Sequence, residues 1–341
     1  MMSPPEIYVI HNMAGEDAEA KLSEEEILLT ADTVERILSA AGRRTKRLVL
    51  EPPLSIAATH IEAIPPGCTV FNLLEGFPGD SHSEVQIGLL LKSLGLKTTG
   101  CPPLAMHLGL HKDLCKQLLR GGGLPTAECA VLRRGADLER ALPFPFPAFL
   151  KPLTDDASLG IGPENVVQDQ ASFQSRATEL LEPFPNGILA EPFLAGREFN
   201  CSVVEVPGEG AEALPPSMVD YSDLPPGHPP ILTFAAKWHT DSEIFIKTPT
   251  ICPAPVGPDR IAAIQDLAVR AYDLVRCRGY ARVDFREDAQ GALHILEVNP
   301  NPDISPSAGM AKQAKVRGLD YGQLVLRVVA AAEEGEPWTF C

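Results

Sequence analysis

Apolar positions along the chain follow two periods, and the places where one gives way to the other mark the elements. Residues 6–10 (Glu-Ile-Tyr-Val-Ile) read as a strand, and 47–50 and 69–74 as two more. Between the first two, Ile27, Ala31, Val34, Leu38 and Ala41 recur at three or four, which predicts a helix from Ser23 that Gly42 stops at C′. Ser81 with Glu84 three residues on forms a capping box for a helix carrying Val85, Leu89 and Leu90, and Gly95 ends it. Strands alternating with helices imply a parallel sheet, so residues 1–102 are expected to form a small α/β domain.

A second unit covers residues 103–190. It reads as a helix over 111–120 ended by three glycines, a strand opening at Leu124-Pro125-Thr126, a strand over 148–151 and a helix over 172–181. The strand at 148–151 is entered through the rigid Phe-Pro-Phe-Pro of 144–147 and followed by a glycine-containing loop at 155–162. Strands over 188–191 and 197–206, with a bend at Ala195-Gly196, lead into a third unit, 191–341. The Pro- and Gly-rich stretch 207–230 is too long and too polar for a core element and reads as a lid or a disordered loop. Strand character resumes over 232–238, a long helix opened by Pro-Asp fills 258–278, and an amphipathic helix closes the chain over 320–332.

The most informative pattern is at 280–298. Two runs, 280–285 and 293–298, alternate with period two around the turn-like Asp288-Ala289-Gln290-Gly291, which predicts an antiparallel hairpin. Side chains two apart share a face, so Arg282 and Asp284 on one strand and Glu297 and Asn299 on the other put a cation, two carboxylates and an amide on a single face. A solvated face with cross-strand charge pairs is one reading. Against it, the acids stand among apolar residues and a lone Arg leaves one of them unpaired. The other reading is a magnesium site, because a hard cation takes oxygens from one or two carboxylates and completes its shell with water and phosphate.

Composition narrows the classes. The 341 residues suffice for two or three domains, and no apolar run approaches the roughly 20 residues of a membrane span. The start, Met-Met-Ser-Pro-Pro-Glu, lacks the basic and apolar regions of a secretory signal, so a cytoplasmic location is expected. Forty-five acids against 29 bases give a net charge of -16, which argues against nucleic acid and anionic membrane as partners. The 8 cysteines have no C-x-x-C pair or regular spacing, so buried reduced thiols are expected rather than disulfides, zinc or a nucleophile.

Arg-Val-Asp-Phe at 282–285 followed by Leu-Glu-Val-Asn-Pro at 296–300 resembles the metal-binding hairpin of ATP-grasp ligases, in particular those related to D-alanine:D-alanine ligase. Lys151, at a strand end before a Ser-x-Gly loop containing Ser158, is similar to that group's phosphate-covering segment, whose backbone N–H groups can cradle phosphate. Glu191-Pro192-Phe193-Leu194-Ala195-Gly196-Arg197-Glu198 resembles the interdomain hinge. By that likeness Glu191, Phe193 and Leu194 meet adenine and Glu198 meets the ribose. Lys112 matches a lysine that approaches the phosphates, although His111 stands where the family has Asp, and Lys237 resembles the lysine that reaches the transferred phosphate.

The resemblance implies an α/β chain, α+β in the ATP-grasp region, with an N-terminal Rossmann-like parallel domain and ATP held between the central and C-terminal domains. It also implies a carboxylate–amine ligase working through an acyl phosphate. Asp284, Glu297 and Asn299 would hold magnesium, two ions in the family's manner with manganese an alternative, and Arg282 would stabilise the tetrahedral oxyanion. A small-molecule carboxylate and an amine are the expected partners; oligomeric state stays open, a homodimer included.

The substrate half departs from the family. Its Gly-Gly-x-Ser turn and nearby Glu are His11-Asn12-Met13-Ala14 here, with Glu16 or Asp17 as substitutes; its loop Ser falls at Ala157 beside Ser158, and its Tyr at Trp238. Asp303 replaces a glycine at the oxyanion, and Ala308 stands in place of an acceptor-binding Ser, with Ser305 and Ser307 as replacements. The sequence therefore leads us to expect substrates other than two D-alanines, with D-alanine ligation in a divergent pocket, or nucleotide binding without ligation, as alternatives.

Overall fold

The computed structural model describes residues 5–13, 18–77, 79–155, 158–239 and 241–335, with 18–25 and Trp238 described as backbone alone. Among these residues the first sheet is parallel, as the alternation of periods requires. Its centre, β1 (Ile7–Asn12), lies between β2 (Thr45–Leu50) and β3 (Thr69–Asn72), and β4 (Lys97–Thr98) extends the β3 edge. The connections are α1 (Ala18–Ala40), α2 (Leu54–Glu62) and α3 (Ser83–Ser93), and α4 (Pro103–Leu110) follows. Gly42, at φ 76°, ends α1 where the sequence places the stop.

Helix α3 begins one residue later than a cap at Ser81 would place it. His82 occupies the N-cap without a side-chain bond, while the Ser83 hydroxyl accepts the Phe77 N–H at 2.7 Å and donates to the Asp80 carbonyl. Glu84 does not close a box but accepts a bond from Asn301 at 2.7 Å. Helix α4 has no counterpart in the predicted elements because it buries Pro103, Ala105, Met106, Gly109 and Leu110, leaving no amphipathic period to read.

The second sheet is antiparallel. Helix α5 (Lys112–Gly121) leads to β5 (Ala130–Leu132), β6 (Ala148–Pro152), β7 (Val166–Val167) and β8 (Ile188–Pro192), ordered β5-β8-β6-β7. Helix α6 (Gln170–Leu181), capped by Asp169, buries Phe173, Ala177 and Leu180 against that sheet.

In the third sheet β9 (Glu198–Val206) is the hub. It pairs with β10 (Gly210–Ala213), with β11 (Ser217–Val219) and its edge partner β12 (Thr250–Ile251), and with the hairpin β13 (Tyr280–Glu287) and β14 (Leu293–Asn299). Between them run α7 (Phe234–Trp238), α8 (Glu243–Ile246) and α9 (Pro258–Leu274), and α10 (Gly309–Arg317) and α11 (Tyr321–Glu334) complete the chain. Two expectations fail here. The stretch 207–230 is no loose lid: it supplies β10 and β11 and buries Leu214 and Ser217 completely. Residues 232–238 are not a strand, because Thr233 caps α7 by accepting the Ala236 N–H at 3.2 Å.

The hairpin is held from both faces. Ala281, Val283, Phe285, Leu293, Ile295 and Val298 join a core with α9, α4 and α5, whereas Tyr280 packs with β1, α1 and α11. Strict alternation would put Glu297 on the same face as Leu293 and Ile295. The register instead shifts, with Phe285 opposite Ile295 but Asp284 opposite Glu297, so a bulge at Leu296 turns Glu297 and Asn299 onto the face of Asp284. The freed backbone of Ile295 pairs with the segment before β5: its N–H donates to the Pro125 carbonyl at 2.8 Å and its carbonyl accepts the Thr126 hydroxyl at 2.8 Å.

Candidate functional site

On that face the register sets Arg282 opposite Asn299 and Asp284 opposite Glu297, the grouping expected from the sequence. The Arg282 guanidinium grips Asp284 through Nε at 2.7 Å and Nη2 at 2.8 Å. Asn299 Nδ2 donates to Asp284 at 3.0 Å and to Glu297 at 3.4 Å. Burial alone would raise the Glu297 pKa, but the charges of Lys112, Lys151, Arg282 and Lys237 outweigh it and hold the carboxyl down at about 2. Lysines from three separate elements therefore surround one ionised carboxylate. This donor set fits magnesium: two carboxylates and an amide, which presents Oδ1 once Asn299 is turned about its last torsion, leave the remaining positions to water and phosphate. Among the described residues no group of three or more His, Cys, Asp and Glu forms an all-protein metal cage.

Each lysine is placed by a different rule. Lys112, in the first turn of α5, donates to the Asp155 carbonyl at 2.7 Å, at the mouth of the 155–162 loop. Lys151, buried on β6, lies diagonally across from Glu191 of β8, since Phe149 is Glu191's direct partner, and reaches it at 2.7 Å. Glu191 is buried as well, and its second oxygen forms an ion pair with Lys116. Burial works against both charges, yet Lys116 and Lys151 lower the Glu191 pKa, and Glu191 and Glu297 raise that of Lys151. Lys237 sits on α7, in range of Glu297.

The hinge residues gather at the other end. The Phe193 N–H donates to the Pro147 carbonyl at 2.9 Å, fixing the turn after β8 with Leu194 next to it. Gly196 is needed there, because a Cβ would lie 2.6 Å from the Glu287 carbonyl. Glu198 accepts bonds from Arg286 at 2.6 Å and Tyr221 at 2.8 Å, and the Arg286 guanidinium lies 5.5 Å from the Phe193 ring centre and 5.6 Å from that of Tyr221. Burial raises the Glu198 pKa, opposed by Arg286. In the phosphate loop Ser158 has φ 62° and Gly160 φ 68°, and a Cβ at Gly160 would sit 2.5 Å from the Phe184 ring. Ser158 makes its described bond to Ile161 through its carbonyl, and no described bond links it to the hairpin.

Lys116, Arg286 and Tyr221 escaped the sequence reading. Lys116 lies one turn after Lys112 and Arg286 two residues after Asp284, so both were accessible to the periods already in use. Tyr221 lies in the Pro-rich stretch, where nothing marked it.

Beyond Asn299 the character changes. Ser305 and Ser307, the expected replacements for an acceptor-binding Ser, are committed to carboxylates. Ser305 Oγ is 3.0 Å from Glu26 and 3.1 Å from Asp303, Ser307 Oγ is 2.8 Å from Glu26, and the Ser305 N–H donates to Asp303 at 2.7 Å. A cavity of about 470 Å³, counted to its open mouth, is lined there by Glu26, Thr30, Asn72, Glu75, Tyr280 and Asp303 among others. Glu16, Asp17 and Ala157 lie outside the described residues. Of the described thiols, Cys68, Cys101, Cys115, Cys201 and Cys277 are buried and Cys129 and Cys252 half-buried, and burial pushes Cys115 up to about 11. No described helix is long and apolar enough to cross a membrane.

Three sheets with a carboxylate-bearing hairpin facing converging lysines are the arrangement expected of an ATP-grasp ligase. A profile of the D-ala D-ala ligase C-terminus matches residues 118–330. A D-alanine–D-alanine ligase of Novosphingobium aromaticivorans is 31% identical over 334 residues, covering 97% of this chain and 98% of that protein. One from Haemophilus influenzae is 31% identical over 264 residues, 76% and 81% of the two chains. The crystal structure of the Bacillus anthracis D-alanine–D-alanine ligase complexed with ATP superposes with a TM-score of 0.71 at 18% identity, over 96% of this chain and 97% of that one. The chain belongs to the D-alanine–D-alanine ligase family: it has the ATP-grasp fold and is an ADP-forming enzyme that makes carbon–nitrogen bonds.

Proposed function

We propose that the chain joins D-alanine to D-alanine, with ATP and magnesium bound between the units 103–190 and 191–341. This reverses the preference drawn from the sequence, where altered substrates ranked first. Its main support is the N. aromaticivorans relative, whose likeness runs through both halves of the chain rather than the nucleotide half alone. The γ-phosphoryl passes from ATP to the carboxylate of the first D-alanine, releasing ADP and giving an acyl phosphate. The amine of the second attacks the acyl carbon, loses a proton and expels inorganic phosphate as the amide forms.

In this reading Asp284, Glu297 and Asn299 would hold magnesium, which would offset negative charge on the nucleotide phosphates. Lys112, Lys151 and Lys237 offset the rest, with the loop at Ser158 covering the phosphates. Arg282, whose orientation Asp284 fixes through two bonds, faces the developing oxyanion. Glu191, Phe193 and Leu194 take the adenine and Glu198 the ribose.

A second reading, ligation of a different acid or amine, rests on one observation: Ser305 and Ser307 point at Glu26 and Asp303, so the edge expected to receive a carboxylate is itself anionic. One experiment separates the two. ADP release is followed with ATP, magnesium and D-alanine alone, then with a panel of amino acids and amines, with hydroxylamine to trap acyl phosphates. Turnover and dipeptide with D-alanine alone support the first reading; turnover that needs another panel member supports the second. No hydroxamate and no substrate-dependent ADP anywhere in the panel would count against both and leave nucleotide binding without ligation.

A further inference from the structure

Helix α5 carries two lysines one turn apart, and only the first is spoken for by the phosphate site. Lys116 runs inward from the same face and is 1% exposed. Its ammonium donates to the Thr126 hydroxyl at 2.8 Å, and that hydroxyl donates to the carbonyl of Ile295, beside the bulge that turns Glu297 toward the metal face. Its contact with Glu191 Oε1 is an ion pair without hydrogen-bond alignment, whereas Lys151 holds Oε2 at 2.7 Å. One buried carboxylate is thus shared by two buried ammoniums, and the group keeps one unit of positive charge.

Within this trio the extra charge has no counter-charge, which is costly for a buried group, and Glu297, the next carboxylate, is itself shared among Lys112, Lys151, Arg282 and Lys237. With Lys151 alone, Glu191 would form a neutral pair and the pocket would offer little to an anion. With Lys116 present, Glu191 is satisfied from the far side and the net charge stays beside Lys151. A polyanion is the ligand that such a charge suits.

We propose that Lys116 is a positioning residue for the nucleotide: it holds Glu191 from behind and leaves Lys151 charged toward the ATP phosphates, while through Thr126 it braces the bulge that aims Glu297. The inference rests on the reading of this site as an ATP site. Lys116 itself touches no phosphate.

The test is calorimetry on the full chain with magnesium, comparing ATP with adenosine, which has no phosphate. The quantity read is the ratio of the two affinities, which isolates the phosphate contribution. Lys116→Met lowers ATP affinity by on the order of tenfold or more, with adenosine changed far less. Lys116→Arg, which keeps the charge, holds the ratio near that of the unaltered chain. The decisive variant is Lys116→Met with Glu191→Gln: it restores the single surplus charge on Lys151, so the ratio recovers relative to Lys116→Met. A merely structural lysine predicts the opposite, since two lesions in one buried network add damage. Should Lys116→Met not fold by circular dichroism, Lys116→Gln, which can still reach Thr126, is read by the same ratio. An unaltered chain that does not bind ATP would remove the ATP reading itself. ATP bound normally, with the ratio unmoved in the charge-removing variant or without recovery in the double variant, would overturn the role of Lys116 alone.

Discussion

The surroundings of β14 and the segment that follows its last residue, Asn299, differ in how their carboxylates are treated. Before it, Glu297 faces Lys112, Lys151, Arg282 and Lys237, Glu191 is shared by two lysines, and Asp284 and Glu198 each pair with an arginine. Past Asn299, Asp303 and Glu26 are answered only by serine hydroxyls and one backbone N–H within their described bonds. A site for a polyphosphate must be cationic and rigid whatever is ligated, so its residues recur in recognisable order. A site for two small amino acids can be rebuilt from many polar groups, and its parts cannot be read from spacing.

The largest effect should come from attacking the cationic half at its centre. Glu297→Gln removes the one negative charge that four cations converge on, together with a metal ligand. Loss of a single preorganised electrostatic partner typically costs 10²–10³ in kcat, so ADP formation should fall by at least about that much. The expected signature is a fall in kcat with the thermal transition preserved. A variant that turns over within about tenfold of the unaltered enzyme would show that the hairpin face is not the metal site.

The seam between the halves can be broken next. Gly109 of α4 abuts the hairpin exit, where a Cβ would lie 2.4 Å from Pro300 Cδ and 3.0 Å from the Val298 carbonyl. Gly109→Ala must therefore push residues 298–300 away, and overpacking of this kind costs about 1–3 kcal/mol, measurable by urea denaturation. Because Asn299 lies inside the displaced segment, activity should drop further than stability alone explains. An unchanged midpoint would mean the helix yields instead.

These outcomes bear on what the sequence could reveal. The hairpin was legible because two short periods and a turn are local signals, and Arg282 to Asn299 grouped as expected. The face was nevertheless reached through a bulge that no local rule announced, since Leu293, Ile295 and Glu297 have the same parity in the sequence. Elements whose identity depends on what covers them were misread: within 207–230, residues 210–213 and 217–219 became strands once β9 offered an edge, and 234–238 became a helix under a Thr233 cap. Ser81 and Glu84 had the spacing of a capping box, but Asn301, 217 residues away, claimed Glu84. Helical spacing from Lys112 put Lys116 within reach, but its role stayed hidden because its partners, Glu191 and Thr126, come from other elements.

The anionic half gives a smaller and more discriminating effect. Asp303 is exposed, so its field is screened and its removal should change substrate KM only severalfold. If D-alanine is the acceptor, Asp303→Asn relieves repulsion of its carboxylate while the Ser305 hydroxyl keeps its bond to Glu26, so the D-alanine KM falls. If the acceptor is a cationic amine, the same change raises KM for that amine. In either case the KM for ATP stays put. A change confined to ATP would erase the distinction between the two halves.

The smallest effect probes the segment that was taken for a lid. Tyr221 belongs to it, yet its hydroxyl is bonded to Glu198 at 2.8 Å and its ring lies against Arg286, which also donates to the Pro230 carbonyl. Tyr221→Phe keeps the ring and its contact with the guanidinium and deletes one bond to a charged acceptor. Such a bond is worth about 1.5–3 kcal/mol when buried, less where a neighbour such as Arg286 already satisfies the same oxygen. Both Tyr221 and Arg286 address Glu198 Oε2, so the loss should be at the low end and appear as a roughly threefold to tenfold rise in the KM for ATP. The value of kcat should hold, because the ribose end is remote from the transferring phosphoryl. A fall in kcat with the ATP KM unmoved would restore the stretch to the role of a closing element and detach Glu198 from the ribose.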